Sequence, residues 1–516
     1  MCRGADGHTI ENCSHWGVAI VDRRDFLKNT GLAALAAGIP WTSAMATDGM
    51  AAPLAVPLTA AERAAKADHS LRIASGILEL GPKRFVSTTL YNGDFPGPLL
   101  RFKEGQRTIV DVFNDTDNAE QVHWHGQHLP DSVDGAFEEH TPPVPAHGQR
   151  RLVFTPTPSG LRYYHTHVRA GTDLARGMYT GLAGPVYIEP KHDPGAYDRE
   201  VFLTLKEFQP YLNRVDMDGP FMAPDGMDIE LVGIAAKADP DAGSVPPGYE
   251  LNYEAFAING KMLGEGEPIK VKRGERVLLQ VVNASATENY SLALPGHTFK
   301  VIALDGNPVP TPAKVPVLWL GTAERISAIV EMNRPGVWVL GDTTDDTREA
   351  GMGIVVEYAG ASGKPQWQAP PAGFKWDYRR FAGPPRKPAR PDVIIDLLIT
   401  TQQSAGEGFD LWSINGVPYD EKTMPVTRRL RLGGRYRLRL RNASDDIHPL
   451  HLHRHSFEIV SVMGQPTRGV MKDVVLVPGF QTTEVDFIAD QPGLSLFHCH
   501  MQSHMDYGFM ALFETR

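Results

Sequence analysis

The sequence predicts an all-β protein built from three copies of one β-sandwich unit. Segments such as "RTIVDVFND", "VLLQVVNAS" and "RYRLRLRNAS" alternate or run apolar at strand length between turn residues. Long helix-period windows are scarce. The third observation is repetition. "FKEGQRTIVDVFND", "VKRGERVLLQVVNA" and "LRLGGRYRLRLRNA" align, with Gly105, Gly274 and Gly433 each nine residues before Asn114, Asn283 and Asn442. A glycine, a strand and a closing asparagine recurring three times is the pattern of a repeated sandwich.

In chain order, the first element is a targeting segment, residues 1–46. It places Arg23 and Arg24 before Phe26, Leu27 and Lys28, then the apolar run 31–39, then Ala44-Met45-Ala46 as a small-x-small cleavage site. This has the form of a twin-arginine signal and predicts a periplasmic or secreted protein. No later run has the apolar length to span a bilayer, so no membrane anchor is expected after cleavage. Of the three cysteines, Cys2 and Cys13 fall in this segment and only Cys499 in the mature chain. An internal disulfide is then impossible, and Cys499 is either a buried small hydrophobe or a reactive or metal-bound thiolate.

The first sandwich is expected over residues 70–195 and the second over 196–359. Residues 360–392, rich in Pro, Gly and basic side chains, read as an extended connection to a third sandwich over 393–516. Asn259-Gly260 and Asn415-Gly416, each within "ING", mark matching points of the second and third units. The 516 residues allow two to four domains. A net charge of -10 argues against nucleic acid or an anionic membrane as partner.

Ten of the nineteen histidines fall in four clusters: "HWHG" (His123, His125), "HTH" (His165, His167), "HPLHLH" (His448, His451, His453) and "HCHMQSH" (His498, Cys499, His500, His504). In a strand, residues i and i+2 share a face, so each His-x-His pair can place two imidazoles in one cavity. His498 and His500 then face one way and Cys499 the other. The cysteine belongs to a different site from its neighbours yet is covalently joined to them. One Cys with two His in a trigonal set is a blue-copper electron-transfer site, and many imidazoles without further thiolates suit copper better than structural zinc. The middle unit is an internal control. Aligning "YSLALPGHTF" with "HPLHLHRHSF" puts Tyr290, Ala293 and Pro295 opposite His448, His451 and His453. The scaffold is kept there and the ligands are absent. His297 and His455 correspond to each other and read as structural. His128, His140, His147 and His192 belong to no cluster and default to the surface or to support of a site.

Over roughly residues 70–516 these four motifs resemble those of the three-domain multicopper oxidases, the family of laccases, bilirubin oxidases and cuprous oxidases. The resemblance implies three consecutive cupredoxin-like Greek-key β-sandwich domains and four copper ions. It implies a type 1 copper on His448, Cys499 and His504, type 2 ligands His123 and His451, and a type 3 pair on His125, His165, His167, His453, His498 and His500. The reaction implied is one-electron oxidation of a small-molecule substrate, with Cys499, His498 and His500 carrying electrons to a cluster that reduces O2 to water. Two departures from the family pattern stand out. Phe509 occupies the axial position that often holds methionine, with Met510 one residue on. Met505 stands where many bacterial relatives have an acid. Proton delivery needs a carboxylate nearby. Asp134, in "DSVDG", is the candidate, with a plain Asp-Gly turn as the alternative; Asp506 is a weaker one. Phenols and aromatic amines are the expected substrates. Cuprous ion is the alternative, with only the sparse Met217, Met222 and Met227 in its favour. A scaffold that has lost its copper, and a copper nitrite reductase, fit the intact ligand set less well.

Overall fold

Glycines and asparagines at fixed points force the chain to turn, and the strands between them pair into three β-sandwiches. The computed structural model describes residues 57–191, 197–215, 248–385, 389–406 and 408–516. The signal segment, His192 and the three methionines of the 217–227 stretch lie outside the described residues.

In the first sandwich, one sheet orders Arg84–Tyr91, His69–Gly81, Thr108–Asn114 and Gly148–Phe154. The other orders Leu100–Lys103, Ala183–Glu189, Gly160–Thr166 and Val122–His125. Each sheet contains one parallel pair: His69–Gly81 beside Thr108–Asn114, and Leu100–Lys103 beside Ala183–Glu189. The second sandwich repeats this with Arg199–Val215 beside Arg276–Asn283 and Ile269–Val271 beside Gly353–Tyr358. The third does so with Val393–Gly406 beside Arg435–Asn442 and Val426–Leu430 beside Met510–Thr515. Parallel neighbours require crossovers between the two sheets, which is the Greek-key way of closing a sandwich.

The repeat seen in the sequence has one physical cause in all three units. Asn114, Asn283 and Asn442 are buried at the end of equivalent strands. Each Nδ2 donates to two or more carbonyls: Asn118 O and Val144 O, Glu288 O and Leu320 O, and Asp446 O with Val477 O and Pro478 O. Each Oδ1 accepts the backbone N–H two residues on, from Thr116, Ser285 or Ser444. The side chain thus closes an Asx-turn and ties it to the next strand. A matching Asn-Gly turn was also present in the first unit and went unread: Asn92-Gly93 has φ of 54° and 80°, like Asn259-Gly260 (52°, 73°) and Asn415-Gly416 (55°, 77°). In each pair the asparagine spans the same neighbouring strand, as with Arg72 N to Asn92 Oδ1 and Leu398 N to Asn415 Oδ1.

His297 and His455 also match. Each Nδ1 donates to the carbonyl two residues back, Pro295 O at 2.9 Å and His453 O at 3.0 Å. This bears out their structural reading.

Candidate metal centre

Register decides which side chains meet. Val122–His125 pairs antiparallel with Gly160–Thr166, setting His123 opposite His165. In the third sandwich His448–Leu452 pairs with Gly493–Cys499, setting His451 opposite His498 and Leu450 opposite Cys499. Directly opposed residues share a face. His451 and His498 therefore project one way, and Cys499 projects the other way with His448. The period-two alternation read from "HCH" is present in space.

Among the described residues ligand-type atoms converge in five overlapping groups, one of them His123, Asp134 and His453, and their His and Cys members reduce to four sets. His448, Cys499 and His504 form one, with Cys499 Sγ 3.8 Å from His448 Nδ1 and 3.6 Å from His504 Nδ1. His125, His165 and His500 form a second, and His167, His453 and His498 a third. His123 and His451 meet with Nε2 atoms 3.4 Å apart. The first and third sandwiches contribute to each of the last three sets. Two imidazole stacks cross between them: His123 on His453 (3.9 Å, 19°) and His125 on His451 (3.8 Å, 15°).

Hydrogen bonds fix which nitrogen each ring presents. A carbonyl or carboxylate can only accept, so the ring nitrogen facing it carries the proton and the other is free. His123 Nδ1 donates to Asp134 O (3.0 Å), His165 Nδ1 to Thr166 O (2.7 Å), His498 Nδ1 to Cys499 O (2.9 Å) and His451 Nδ1 to Asp473 O (2.8 Å). Each of these rings offers Nε2. His125 is reversed: its Nε2 donates to Asp473 Oδ1 at 3.1 Å, leaving Nδ1 to face His165. His448 Nε2 lies 2.8 Å from Ser444 Oγ, which itself bonds Asn442 Oδ1, so the repeat asparagine supports this ring.

Burial, reinforced by neighbouring imidazoles, holds His125, His165, His448, His453, His498 and His500 well below the usual histidine range. His167 falls to about 3 for the same reasons. Neutral imidazole is the form that binds metal. Both ring nitrogens of His167 and Nδ1 of His500 are buried with no hydrogen-bond partner. Buried ring nitrogens without partners, set among other imidazoles, fit a cation. Soft sulfur with imidazoles in one set, and imidazoles in the others, fits copper. Burial pushes the Cys499 thiol up; a bound cation reverses that by favouring the thiolate.

Asp134 sits inside this assembly rather than in a bare turn. It ends the short helix Asp131–Asp134, and its Oδ2 lies 2.8 Å from His453 Nδ1 and 3.1 Å from His123 Nδ1. The next residue, Gly135, has φ of 107°, and a Cβ there would collide with Val122 O. Only glycine lets this helix press on the first histidine strand. Asp506 instead accepts Ala170 N and Gly171 N and anchors the helix Gln502–Asp506, which carries His504. Phe509 packs 4.9 Å from His448 and stacks on Trp412, whose ring is 4.3 Å from His504. Met510 lies opposite His498 in the register and joins an apolar cluster with Met505, Leu496 and Leu512. His128 is half-buried beside Ser456, and His147 is exposed beside Asp117.

Sequence reasoning missed Glu139, 3.4 Å from His453 Nδ1; Tyr163, whose hydroxyl meets His500 Nε2 at 3.1 Å; Trp412; and Asp473. The one available signal for Asp473 was a charged pair, Lys472-Asp473, abutting the fully apolar run 474–477.

Family models described as "Multicopper oxidase" match residues 78–193, 235–357 and 389–516. Multicopper oxidase MmcO of Mycobacterium tuberculosis is 30% identical over 482 residues, covering 88% of this chain and 90% of that one. Laccase-3 of Thanatephorus cucumeris is 24% identical over 541 residues, covering 86% and 90%. Among solved structures, a multi-copper oxidase from Pseudomonas Thermotolerans superposes with a TM-score of 0.63 at 25% identity, covering 87% of this chain and all of that one.

Proposed function

We propose, from the premise that this chain belongs to the multicopper oxidase family, a laccase-like reaction in which phenols or aromatic amines are oxidised one electron at a time. The protein is a copper-dependent oxidoreductase with O2 as acceptor. The ligand sets support four coppers: a type 1 site on His448, Cys499 and His504, a type 2 site on His123 and His451, and a type 3 pair on His125, His165, His500 and on His167, His453, His498. Copper bound there would supply a one-electron acceptor near the surface and a buried centre able to take four electrons to O2.

The chain's own atoms do the rest. Of these ligands His504 is the one left part-exposed, which makes its ring edge the point of contact for a donor. Cys499 links that set to the buried one by two routes: peptide bonds to His498 and His500, and its carbonyl, which accepts His498 Nδ1–H. Asp134 Oδ2 accepts the His453 ring proton and its Oδ1 is buried without a hydrogen-bond partner, which supports Asp134 as the proton-delivering acid. The observation that carries the reading is the pairing of Leu450 with Cys499 and of His451 with His498, which sends sulfur and imidazoles to opposite faces.

The proposed domains span 70–195, 196–359 and 393–516, with 360–392 as the connection. Export by the twin-arginine route rests on the sequence of residues 1–46; among the described residues no helix is long and apolar enough to cross a membrane. The test is O2 uptake by copper-loaded protein with a phenol and with cuprous ion, using Cys499→Ser as control. Faster uptake with the phenol supports the reading. Uptake with cuprous ion alone replaces the substrate, and uptake by the Ser variant refutes the electron route.

A further inference from the structure

The middle sandwich contributes no ligand-type residue to the four sets, yet a group of its charged side chains reaches the centre. Arg325 and Asp305, both fully buried, come from this sandwich and meet Asp473 of the third. Arg325 Nη1 donates to Asp473 Oδ1 at 2.6 Å and Nη2 to Oδ2 at 2.5 Å, a two-pronged grip. Arg162 of the first sandwich adds a contact to Oδ2 at 3.2 Å. Asp305 holds the backbone of the same residue, its Oδ2 accepting Asp473 N (3.3 Å) and Val474 N (3.1 Å). Its Oδ1 accepts Arg325 N at 2.9 Å, so the two gripping residues also brace each other.

Asp473 in turn orients two rings through different atoms. Its carboxylate takes the Nε2 proton of His125, and its carbonyl takes the Nδ1 proton of His451. The two rings stack 3.8 Å apart and present opposite nitrogens to the cavity. A carboxylate free to rotate would release His125 to flip and offer Nε2 instead. Arg325 also lies 6.0 Å from the Tyr163 ring, whose hydroxyl meets His500.

We infer that Arg325 is a positioning residue for the copper cluster, the means by which the ligand-free middle sandwich fixes, through Asp473, which nitrogen His125 and His451 present. The inference rests on the copper assignment above. Wild-type protein that fails to load copper sinks that assignment, whereas a difference confined to variants bears on Arg325 alone.

The decisive variant is Arg325→Lys. It keeps the charge among the buried carboxylates and so spares the fold, but an ammonium cannot grip both oxygens at once. Tyr378→Phe serves as control: it disturbs the far arm of the same network, where Tyr378 bonds Glu324 and Glu324 pairs with Lys472, without touching Asp473. Copper per chain is measured before and after challenge with a chelator, with the paramagnetic resonance of the type 2 copper, the blue band, and anaerobic reduction of that band by a phenol. Arg325→Lys is expected to lose cluster copper about 10–100-fold more readily and to show an altered type 2 spectrum. Its blue band and its reduction by phenol stay as in wild type. Tyr378→Phe is expected to lower thermal stability and leave both spectra alone. Arg325→Lys with wild-type copper retention and an unchanged type 2 spectrum overturns the inference. So does equal loss of the blue band and cluster copper in both variants, which would make the arginine only a structural tie.

Discussion

Phe509 shows how one side chain sets the character of a site. Its backbone carbonyl accepts Cys499 N at 3.1 Å, and its ring fills the space beside His448 without a lone pair to offer a metal. Met510 points into the opposite apolar cluster, so it does not substitute. A type 1 copper without an axial donor stays three-coordinate, which favours the reduced ion and raises its potential. Phe509→Met should lower the potential measured by redox titration of the blue band; an unchanged or higher value would show that Phe509 is not in the axial position. At this scale the sequence was legible where chemistry has a period. Two-residue spacing in strands announced the pairs His123/His125, His165/His167, His451/His453 and His498/His500 and the opposed cysteine, while His448 and His504 were legible from their clusters. Asp473 and Arg325 were not legible, because the charged pairs Lys472-Asp473 and Glu324-Arg325 match no motif and Asp473 and Arg325 lie 148 positions apart.

Elements carry the repeat, and the three equivalent asparagines make it testable. Removing one deletes hydrogen bonds to two or more carbonyls and a backbone N–H at the buried end of a strand, at a cost of about 1–3 kcal/mol. Asn283→Ala and Asn442→Ala should lose similar stability in denaturant unfolding. Only Asn442→Ala should also weaken the blue band, because Asn442 supports Ser444 and, through it, His448. Equal effects on the band would refute that link. The element leading into the first histidine strand carries a different signal. Glu120 is buried beneath Val144 and Thr166, and burial raises its carboxyl from 4.5 to about 7. A raised acid is protonated in both states below about pH 4.5; between about 4.5 and 7 the unfolded group ionises while the folded one keeps its proton, so stability falls across that window and levels off above it. Glu120→Gln should be more stable than wild type at about pH 8, by up to ~3 kcal/mol, with little difference at about pH 4.5. Melting curves at both pH values decide it; the same difference at each would remove Glu120 as the cause. Glu138 and Glu288, also raised to about 7 by burial, add to the slope in the same direction. The sequence showed the strands that the loops carrying these groups connect. It did not show which acids the folded chain would bury, since that depends on loops packing across the sheet ends.

Across the whole molecule, on the proposed copper assignment, the outer two sandwiches supply the ligands and the middle one braces them. The first half of that statement was readable: clusters at the ends of the first and third repeats, and Tyr290, Ala293 and Pro295 where the middle repeat lacks them. The second half was not, because six buried charges drawn from three sandwiches (Arg162, Asp305, Glu324, Arg325, Lys472 and Asp473) balance only after folding. The central claim is that one sulfur joins a surface electron acceptor to a buried imidazole-bound centre. Copper analysis, visible absorption and O2 turnover of wild type and Cys499→Ser, measured together, test it most directly. About four coppers per chain and a blue band are expected in wild type. The Ser variant should hold about one copper fewer, lack the band and lose turnover. A Ser variant that still consumes O2 with a phenol at the wild-type rate would contradict the account.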